Sequence, residues 1–262
     1  MTGTGELGAS SARIKQLRRL SRRSERSERR LFLAEGRNAV EAALEAGVVV
    51  EVFARPLRDH LLPAVPDDVP LTWVDERALK ALSDSVTPAG VVALCRFVDV
   101  PLEEALVGGY VAICADVSDP GNAGTVIRCA DAAGAGGVVL AGRSVDLYNG
   151  KTVRASAGSA FHLPIATGGD AADAVRAAQA AGYAVLATAA DGEVDLFEAD
   201  EVLARPTAWL LGNEAHGLGL ELAELADHRV RIPIHGRAES LNLSTAAALC
   251  LFASARVQRG HG

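Results

Sequence analysis

Apolar strands that alternate with helical segments are the feature of this chain that most restricts its fold. Apolar residues occupy nearly every position of residues 110–115, 138–141, 184–188 and 208–212, rather than every second one. Strands of this kind are buried on both faces, which is typical of a parallel sheet covered by helices on each side. The sequence therefore predicts an α/β protein built around a parallel sheet.

Residues 110–262 are predicted to form one α/β domain. Its predicted strands are residues 110–115, 138–141, 161–165, 184–188, 208–212 and 230–234. Its predicted helices are residues 122–133, 148–155, 171–181, 220–225 and 243–258. The last helix is strongly apolar, and we expect one stripe of it either in the core or on a subunit surface: Leu243, Ala247, Leu251 and Ala255.

A smaller α/β region precedes this domain, and a chain of 262 residues has room for both. Its predicted strands are residues 31–34, 48–54, 71–74 and 91–97, and its predicted helices are residues 37–46 and 76–83. Residues 98–109, which include Pro101, are interpreted as a linker with a short helix at 102–106. The predicted organisation is a disordered tail at 1–12, a small domain at 13–97, the linker, and the larger domain at 110–262.

The composition argues against several classes of protein. No stretch approaches the roughly 18 consecutive apolar residues of a membrane span, and the N-terminus lacks a secretory signal, so we expect a cytoplasmic protein without membrane attachment. The six histidines show no metal-binding spacing, and no metal is assigned. The four cysteines are too widely separated for a zinc site or a disulfide framework, and we expect buried, inert thiols: Cys95, Cys114, Cys129 and Cys250.

Charge is unevenly distributed along the chain. The net charge is −7, which by itself argues against nucleic acid. Residues 13–30, however, hold nine basic and two acidic residues, a net charge of +7 that leaves −14 for the remainder. Ile14, Leu17 and Leu20 recur at three-residue intervals and predict a basic amphipathic helix over residues 13–24. A solvated tail is the alternative to RNA contacts from this segment, for which the candidates are Arg18, Arg19, Arg22 and Arg23.

Polar segments follow three of the predicted strands, at the carboxyl ends where parallel sheets place ligand sites. The first contains Asn122, with Arg128 six residues further on, the second contains Asn213 and Glu214, and the third is Ser240-Leu241-Asn242. Taken singly, the first and third segments fit the start of a capped core helix. In that reading Asn122 is the N-cap and Arg128 forms a surface ion pair.

Taken together, the three segments resemble the signature motifs of the SpoU (TrmH) family of the SPOUT methyltransferase superfamily. The first motif is residues 122–128, the second is residues 210–218 and the third is residues 232–244. This resemblance spans about residues 115–252. It implies an S-adenosylmethionine-dependent enzyme that methylates ribose 2'-hydroxyls of RNA, a deep trefoil knot in the C-terminal domain, and a homodimer.

The N-terminal region resembles the substrate-binding domain often found ahead of this catalytic domain, a small α/β module similar to certain ribosomal proteins. The segment that carries the likeness is residues 32–36, followed by an apolar helix. The resemblance implies that residues 13–97 bind structured RNA. Ribosomal RNA is the favoured substrate, with antibiotic-resistance methylation as a special case, and tRNA is the less favoured one.

The resemblance also implies which residues form the site. The expected catalytic residues are Arg128, Asn122, Glu214, Ser240 and Asn242. The expected contacts to S-adenosylmethionine, largely through main-chain groups, come from Thr188, Leu211, Gly212, Asn213, Ile232, Ile234, Leu241 and Asn242.

Arg128 is expected to act as a charged group rather than as a base. Lowering the pKa of a guanidinium from ~13.8 to about 7 costs roughly 9 kcal/mol. A charged Arg128 instead contacts the target phosphate and stabilises developing alkoxide, while Asn122 fixes the target ribose and water carries the proton. Two roles are open for Glu214, which either anchors a motif loop or orients Arg128 across the dimer.

Two other functions fit parts of the sequence. A dinucleotide-binding enzyme needs its glycines between a strand and the next helix, whereas residues 134–137 follow a helix and precede a strand. The remaining alternative is a non-catalytic RNA-binding or assembly protein that retains the fold. The intact motif residues argue against it, and cofactor binding separates the two.

Overall fold

The computed structural model describes residues 6–56, 62–85 and 88–260. Its contacts divide the chain into two compact units. The first comprises residues 1–98 and 148–162, and the second comprises residues 99–147 and 163–262. Residues 148–162 therefore belong with the N-terminal region, although in the sequence they lie between two strands of the larger sheet.

Strands and helices alternate along the chain, as the sequence predicts. The strands are β1 (Leu31–Glu35), β2 (Val49–Ala54), β3 (Leu71–Trp73), β4 (Val91–Arg96), β5 (Tyr110–Ala115), β6 (Gly137–Ala141), β7 (Ile165–Thr167), β8 (Ala184–Thr188), β9 (Val194–Asp195), β10 (Thr207–Leu211) and β11 (His228–Arg231). The helices are α1 (Ala12–Arg18), α2 (Arg23–Arg29), α3 (Arg37–Glu45), α4 (Glu76–Leu82), α5 (Leu102–Ala105), α6 (Pro120–Ala133), α7 (Gly150–Ser156), α8 (Ala171–Ala180), α9 (Asp200–Leu203), α10 (Leu220–Glu224) and α11 (Leu243–Arg259). Within the described residues, no helix combines the length and apolar composition that crossing a membrane requires.

The first unit is a small α/β body around a four-stranded sheet in the order β1-β4-β2-β3. Strand β4 is antiparallel to both of its neighbours, and β3 is parallel to β2. The apolar stripe predicted for the basic segment packs into this unit, because Ile14, Leu17 and Leu20 are buried in one core with Phe53 and Leu79. The segment is thus an integral part of the unit.

The prediction of one helix over residues 13–24 is wrong. Helix α1 ends at Arg18, a 3-10 turn covers Arg19–Ser21, and α2 begins at Arg23. The break has a physical cause in the extended backbone of Arg22 and in the buried Arg26, whose Nη1 donates to the carbonyl oxygens of Leu20 and Ser21 at 2.8 Å each. These bonds satisfy carbonyl groups that a continuous helix would have paired internally.

The ends of the predicted small domain also differ in the structure. Leu7 lies in the predicted tail, yet its amide donates to the Trp73 carbonyl oxygen at 2.9 Å, and its own carbonyl accepts from Asp75. The prediction of a disordered tail through residue 12 is therefore wrong from Leu7 onward. Residues 99–109, predicted as a linker, group with the second unit, where Ala105 and Leu106 are buried.

Residues 148–162 are held in the first unit by an aromatic cluster and a buried ion pair. The Tyr148 ring lies 4.7 Å from that of Phe32 and stacks on Phe97 at 3.6 Å between centroids. Arg154 Nη1 contacts Glu35 Oε2 at 3.0 Å, and the Glu35 side chain is 5% exposed. The sequence correctly predicts a helix here, but periodicity carries no information on which unit it joins.

The second unit is built on a seven-stranded sheet, as expected for strands that are buried on both faces. The strand order is β7-β6-β5-β10-β8-β11-β9, and every pairing is parallel. Because all carboxyl ends meet at one edge, the loops after β5, β10 and β11 are brought to the same side of the sheet.

Several predicted boundaries in this unit are wrong. A strand over 161–165 is replaced by a 3-10 turn at Ser159–Phe161 and the later strand β7, because Phe161 packs on Phe32 in the aromatic cluster. Strand β11 ends at Arg231 rather than at residue 234. Pro233 has no N–H for a strand ladder, which fits the earlier end. The sequence did not predict β9 and α9, which are too short to show a period.

Replacing the buried Ile14 tests how much the packing of α1 stabilises the core of the first unit. We expect Ile14→Ala to lower the free energy of unfolding by about 2–5 kcal/mol, because a fully buried side chain is replaced by a cavity. Denaturant titration measures the change. The exposed neighbour variant Lys15→Ala is the matched control, expected within about 0.5 kcal/mol of the unaltered protein. Equal unfolding free energies for the two variants would contradict the packing of α1.

Candidate active site

A cleft of about 320 Å³ opens at the carboxyl ends of β8, β10 and β11. Six of the eight residues predicted to contact the cofactor line it: Thr188, Gly212, Asn213, Ile232, Ile234 and Leu241. Two of the predicted catalytic residues, Glu214 and Ser240, line it as well. The loops after β10 and β11, which carry the second and third motifs, therefore form one concave surface.

Glycine at position 212 is required by the close return of the loop after β10. A Cβ at Gly212 would lie 2.4 Å from the carbonyl carbon of Gly217, which no side chain tolerates. The loop is closed by two main-chain bonds, from the Asn213 amide to the Gly217 oxygen at 2.9 Å and from the Gly217 amide to the Asn213 oxygen at 2.8 Å. Gly217 completes the turn with φ of +65°, a conformation that favours glycine.

The Glu214 carboxylate joins the second motif to the first. Its Oε2 accepts from the amide and the hydroxyl of Ser118 at 3.0 Å each. Its Oε1 accepts from the amide of Asp119 at 2.9 Å and from Asn122 Nδ2 at 3.1 Å. Both oxygens are thus occupied within the same chain, so the structure favours the anchoring role of Glu214 over a role that orients Arg128 across a dimer.

These bonds also set the acidity of Glu214. Partial burial raises the pKa of the carboxyl, but the hydrogen bonds from Ser118, Asp119 and Asn122 outweigh burial and lower the pKa to about 2. Donors that point at the ionised form stabilise it. The anchor is therefore a carboxylate at neutral pH.

Two asparagines link the first motif to the third. Asn242 Nδ2 donates to Asn122 Oδ1 at 3.0 Å, and Asn242 Oδ1 accepts from the Ser244 amide at 2.9 Å as the N-cap of α11. Asn122 is not the N-cap of α6, contrary to the structural interpretation of its motif. Asp119 holds that position and accepts from the Asn122 amide at 2.8 Å.

Four of the predicted catalytic and cofactor-contacting residues do not line the cleft. Asn122 and Asn242 lie beside it and bond to each other, and the Leu211 side chain is fully buried in the sheet. Arg128 lies on α6, is exposed, and makes no hydrogen bond or ion pair with any residue in the described part of the chain. The predicted surface ion pair of Arg128 is therefore absent among those residues.

Sequence reasoning missed Asp116, which directly follows β5 and has φ of +56°. Its carbonyl oxygen accepts from Asn213 Nδ2 at 2.8 Å, and its Oδ1 accepts from the Arg143 amide at 2.6 Å. It also missed Asp119, although an aspartate directly before Pro120 is a common sign of a helix start. Asp116 gave no comparable local signal.

The lining of the cleft has a distinct chemical character. Among the described residues, no lysine, arginine or histidine side chain lines it, and two carboxylates do. Its aliphatic side chains include Val230, Ile232 and Leu241. Such a surface disfavours polyanions such as dinucleotides, and it suits a flat apolar ring whose edge is held by main-chain groups, joined to a cationic group.

Known proteins resemble this chain in sequence and in fold. The SpoU rRNA Methylase family matches residues 109–252, and the MRM3-like substrate binding domain matches residues 11–93. The chain is 34% identical over 223 residues to the 23S rRNA (guanosine(2553)-2'-O)-methyltransferase RlmP of Bacillus subtilis (strain 168), which covers 84% of this chain and 87% of that protein.

Solved structures of methyltransferases have the same fold as this chain. The AdoMet-bound rRNA methyltransferase from Sinorhizobium meliloti superposes with a TM-score of 0.84 at 35% identity, covering 96% of this chain and 97% of that one. The SpoU methyltransferase AviRb from Streptomyces viridochromogenes gives a TM-score of 0.82 at 32% identity, covering 94% and 97% of the two chains.

The parallel sheet, the cleft and these matches define an α/β methyltransferase of the SPOUT class, as predicted, and a trefoil knot is typical of that fold. The chain belongs to the SpoU rRNA methylase family, which confirms the resemblance seen in its three motifs. Members of this family use S-adenosylmethionine as the methyl donor.

The low pKa of Glu214 makes its contribution to stability depend on pH. Its pKa in the folded protein lies below the value of about 4.3 in an unfolded chain, so its contribution is present above about pH 5 and is lost as pH falls toward 2. We expect Glu214→Gln to cost about 1 kcal/mol of unfolding free energy at pH 7, and less at pH 3. Urea titrations at pH 7, 5 and 3 measure this difference.

The control for Glu214→Gln is Glu224→Gln, which removes an exposed carboxylate from α10 outside the cleft. A Glu214→Gln deficit that stays constant from pH 7 to pH 3 would contradict the anchoring role of the charged carboxylate.

Proposed function

We propose that this chain methylates a ribose 2'-hydroxyl in structured ribosomal RNA, with S-adenosylmethionine held in the cleft at the ends of β8, β10 and β11. As a member of the SpoU family, it is an S-adenosylmethionine-dependent RNA 2'-O-methyltransferase with RNA as its partner. The observation that carries the placement of the cofactor is the cation-free, partly apolar lining formed by the second and third motifs.

The residues of the cleft fit the proposed cofactor, which when bound supplies an activated methyl group on a sulfonium. Gly212, Ile232 and Leu241 offer main-chain groups beside aliphatic side chains, which suits an adenine. Thr188, Asn213 and Ile234 line the same surface. The fully buried Leu211 can contribute only main-chain groups, and the side chain of Asn242 is committed to Asn122 and to the cap of α11.

Arg128 is proposed to hold the phosphate of the target nucleotide and to stabilise charge that develops on the attacking oxygen. Its exposure and its lack of partners among the described residues leave its five donors for RNA. Asn122, fixed between Glu214 and Asn242, is proposed to position the target ribose. Ser240 is proposed to shape the site from the cleft wall, and water is the proposed proton acceptor.

The basic segment of the first unit is proposed to contact RNA phosphates. Arg18, Arg22 and Arg23 are exposed, which supports the proposal. Arg19 is weaker support, because it forms an ion pair with the buried Glu25. The match of residues 11–93 to the MRM3-like substrate binding domain also supports RNA contacts from this segment.

The first experiment combines calorimetric titration of S-adenosylmethionine with transfer of tritiated methyl groups to total ribosomal RNA and to total tRNA. We expect binding of the cofactor and transfer to ribosomal RNA. Binding of RNA without binding of cofactor would favour the non-catalytic assembly protein, and transfer to tRNA alone would contradict the proposed substrate.

Arg128→Lys tests the proposed use of a planar guanidinium. We expect single-turnover methyl transfer to fall roughly 100-fold, because a lysine cannot make paired bonds to phosphate, while cofactor affinity stays unchanged. The control is Arg176→Lys, an exposed arginine on α8 that pairs with Asp173 on its own helix. Retention of most activity by Arg128→Lys would contradict the proposed role.

A homodimer is proposed through α11. Two of the four residues of its predicted stripe, Ala247 and Leu251, are fully buried in the core, and a third, Leu243, lines the cleft. On another face, however, Leu249 and Phe252 are 38% and 50% exposed and lie one turn apart. Exposed apolar pairs of this kind on a packed helix favour a subunit interface.

Phe252→Asp tests this surface. We expect sedimentation to show a dimer for the unaltered chain and a monomer for Phe252→Asp, because a buried interface does not accommodate an unpaired charge. The matched control is Leu220→Asp, which places the same charge at an exposed apolar position on α10. A stable monomer for the unaltered chain at micromolar concentration would rule out the proposed dimer.

A further inference from the structure

The two carboxylates that line the cleft differ in what they contact. Glu214 is committed to the donors of the first motif, and its pairing leaves no free oxygen. Glu239 lies in the third motif loop, directly before Ser240, and is exposed at the cleft. It makes no hydrogen bond or ion pair with any of the residues that the structure describes. Its charge is therefore uncompensated from within those residues.

The rest of the lining does not neutralise Glu239. No cationic side chain of the described residues lines the cleft, and the two residues that follow Glu239 in the sequence and also line it are Ser240 and Leu241. A carboxylate beside aliphatic walls is less screened than one in open water, so it favours a cationic ligand over a neutral ligand of the same shape.

The methyl donor and its product differ in this property. During transfer the bond between sulfur and the methyl carbon breaks, a bond forms between that carbon and the ribose oxygen, and the hydroxyl proton leaves to water. The sulfonium becomes a neutral thioether, so S-adenosylhomocysteine carries one positive charge fewer than S-adenosylmethionine. Adenine, ribose and amino acid groups are the same in both.

We propose that Glu239 is a specificity-determining residue that discriminates the charged methyl donor from its neutral product. This inference rests on the proposed position of the cofactor in the cleft. Loss of the sulfonium charge removes the attraction to Glu239, which weakens product binding and favours release. Because Glu239 is exposed to solvent, its attraction to the sulfonium is screened by salt. The preference for S-adenosylmethionine over S-adenosylhomocysteine therefore falls as ionic strength rises.

The experiment compares the unaltered full chain with Glu239→Gln by calorimetric titration of three ligands. These are S-adenosylmethionine, S-adenosylhomocysteine, and sinefungin, which carries an amine in place of the methyl sulfonium. We expect Glu239→Gln to weaken S-adenosylmethionine and sinefungin by about 3-fold to 10-fold, and to leave S-adenosylhomocysteine within about 1.5-fold. In the unaltered chain, the preference for the charged ligands should shrink between low and high salt.

Two controls keep the outcome unambiguous. Glu224→Gln removes an exposed carboxylate outside the cleft and should change none of the three affinities. Glu239→Ala repeats the comparison with the side chain removed, and thermal unfolding verifies that each variant is folded.

Each result decides between the proposals. Equal weakening of all three ligands would mean that Glu239 contacts a group common to them, and it would overturn the discrimination while leaving the cofactor site in place. Unchanged affinities for all three would also overturn it. Failure of the unaltered chain to bind any of the three would overturn the proposed function itself.

Discussion

The carboxylate of Glu214 is the interaction on which the arrangement of the site depends. It accepts from the two residues that precede α6 and from Asn122 on its first turn, so the loop after β10 is tied to the start of that helix. A negative group near the first amides of a 14-residue helix is also favoured by the helix dipole. Through Asn122 the same network reaches Asn242, which begins α11. The Glu214 carboxylate and the bonds that extend from it thus hold together three loops that are far apart in sequence.

Local pattern was sufficient for most of the fold. Continuous apolar strands predicted the parallel sheet, and every strand of five or more residues was found close to its predicted position. The order of strands was not predictable in the same way, because β5 pairs with β10 across almost a hundred residues and periodicity has no information on such partners. The errors arose where a tertiary contact overrode a local preference, as with Phe161 in the aromatic cluster and Arg26 at the break after α1.

The candidate site, like the fold, could be predicted from the local sequence only in part. Residue types that are unusual in their context, such as Asn122, Glu214 and Asn242, were found through their motifs. Their bonds to one another were not predictable, because the two asparagines are 120 positions apart. Asp119 and Asn122 both suit an N-cap, and only the position of Pro120 distinguishes them. Glu239 was overlooked because nothing in its local sequence separates a cleft carboxylate from a solvated one.

The position of residues 148–162 limits how this protein could be divided into separate domains. The chain leaves the second unit after Leu147, packs Tyr148 and Phe161 into the aromatic cluster of the first unit, and then returns to form β7. The first unit is consequently not a cassette joined by a single linker, since three chain crossings connect it to the second. A cut near residue 98 would separate Phe32 from Tyr148 and Phe161, and Glu35 from Arg154. The first unit could therefore be exchanged for another domain only together with residues 148–162.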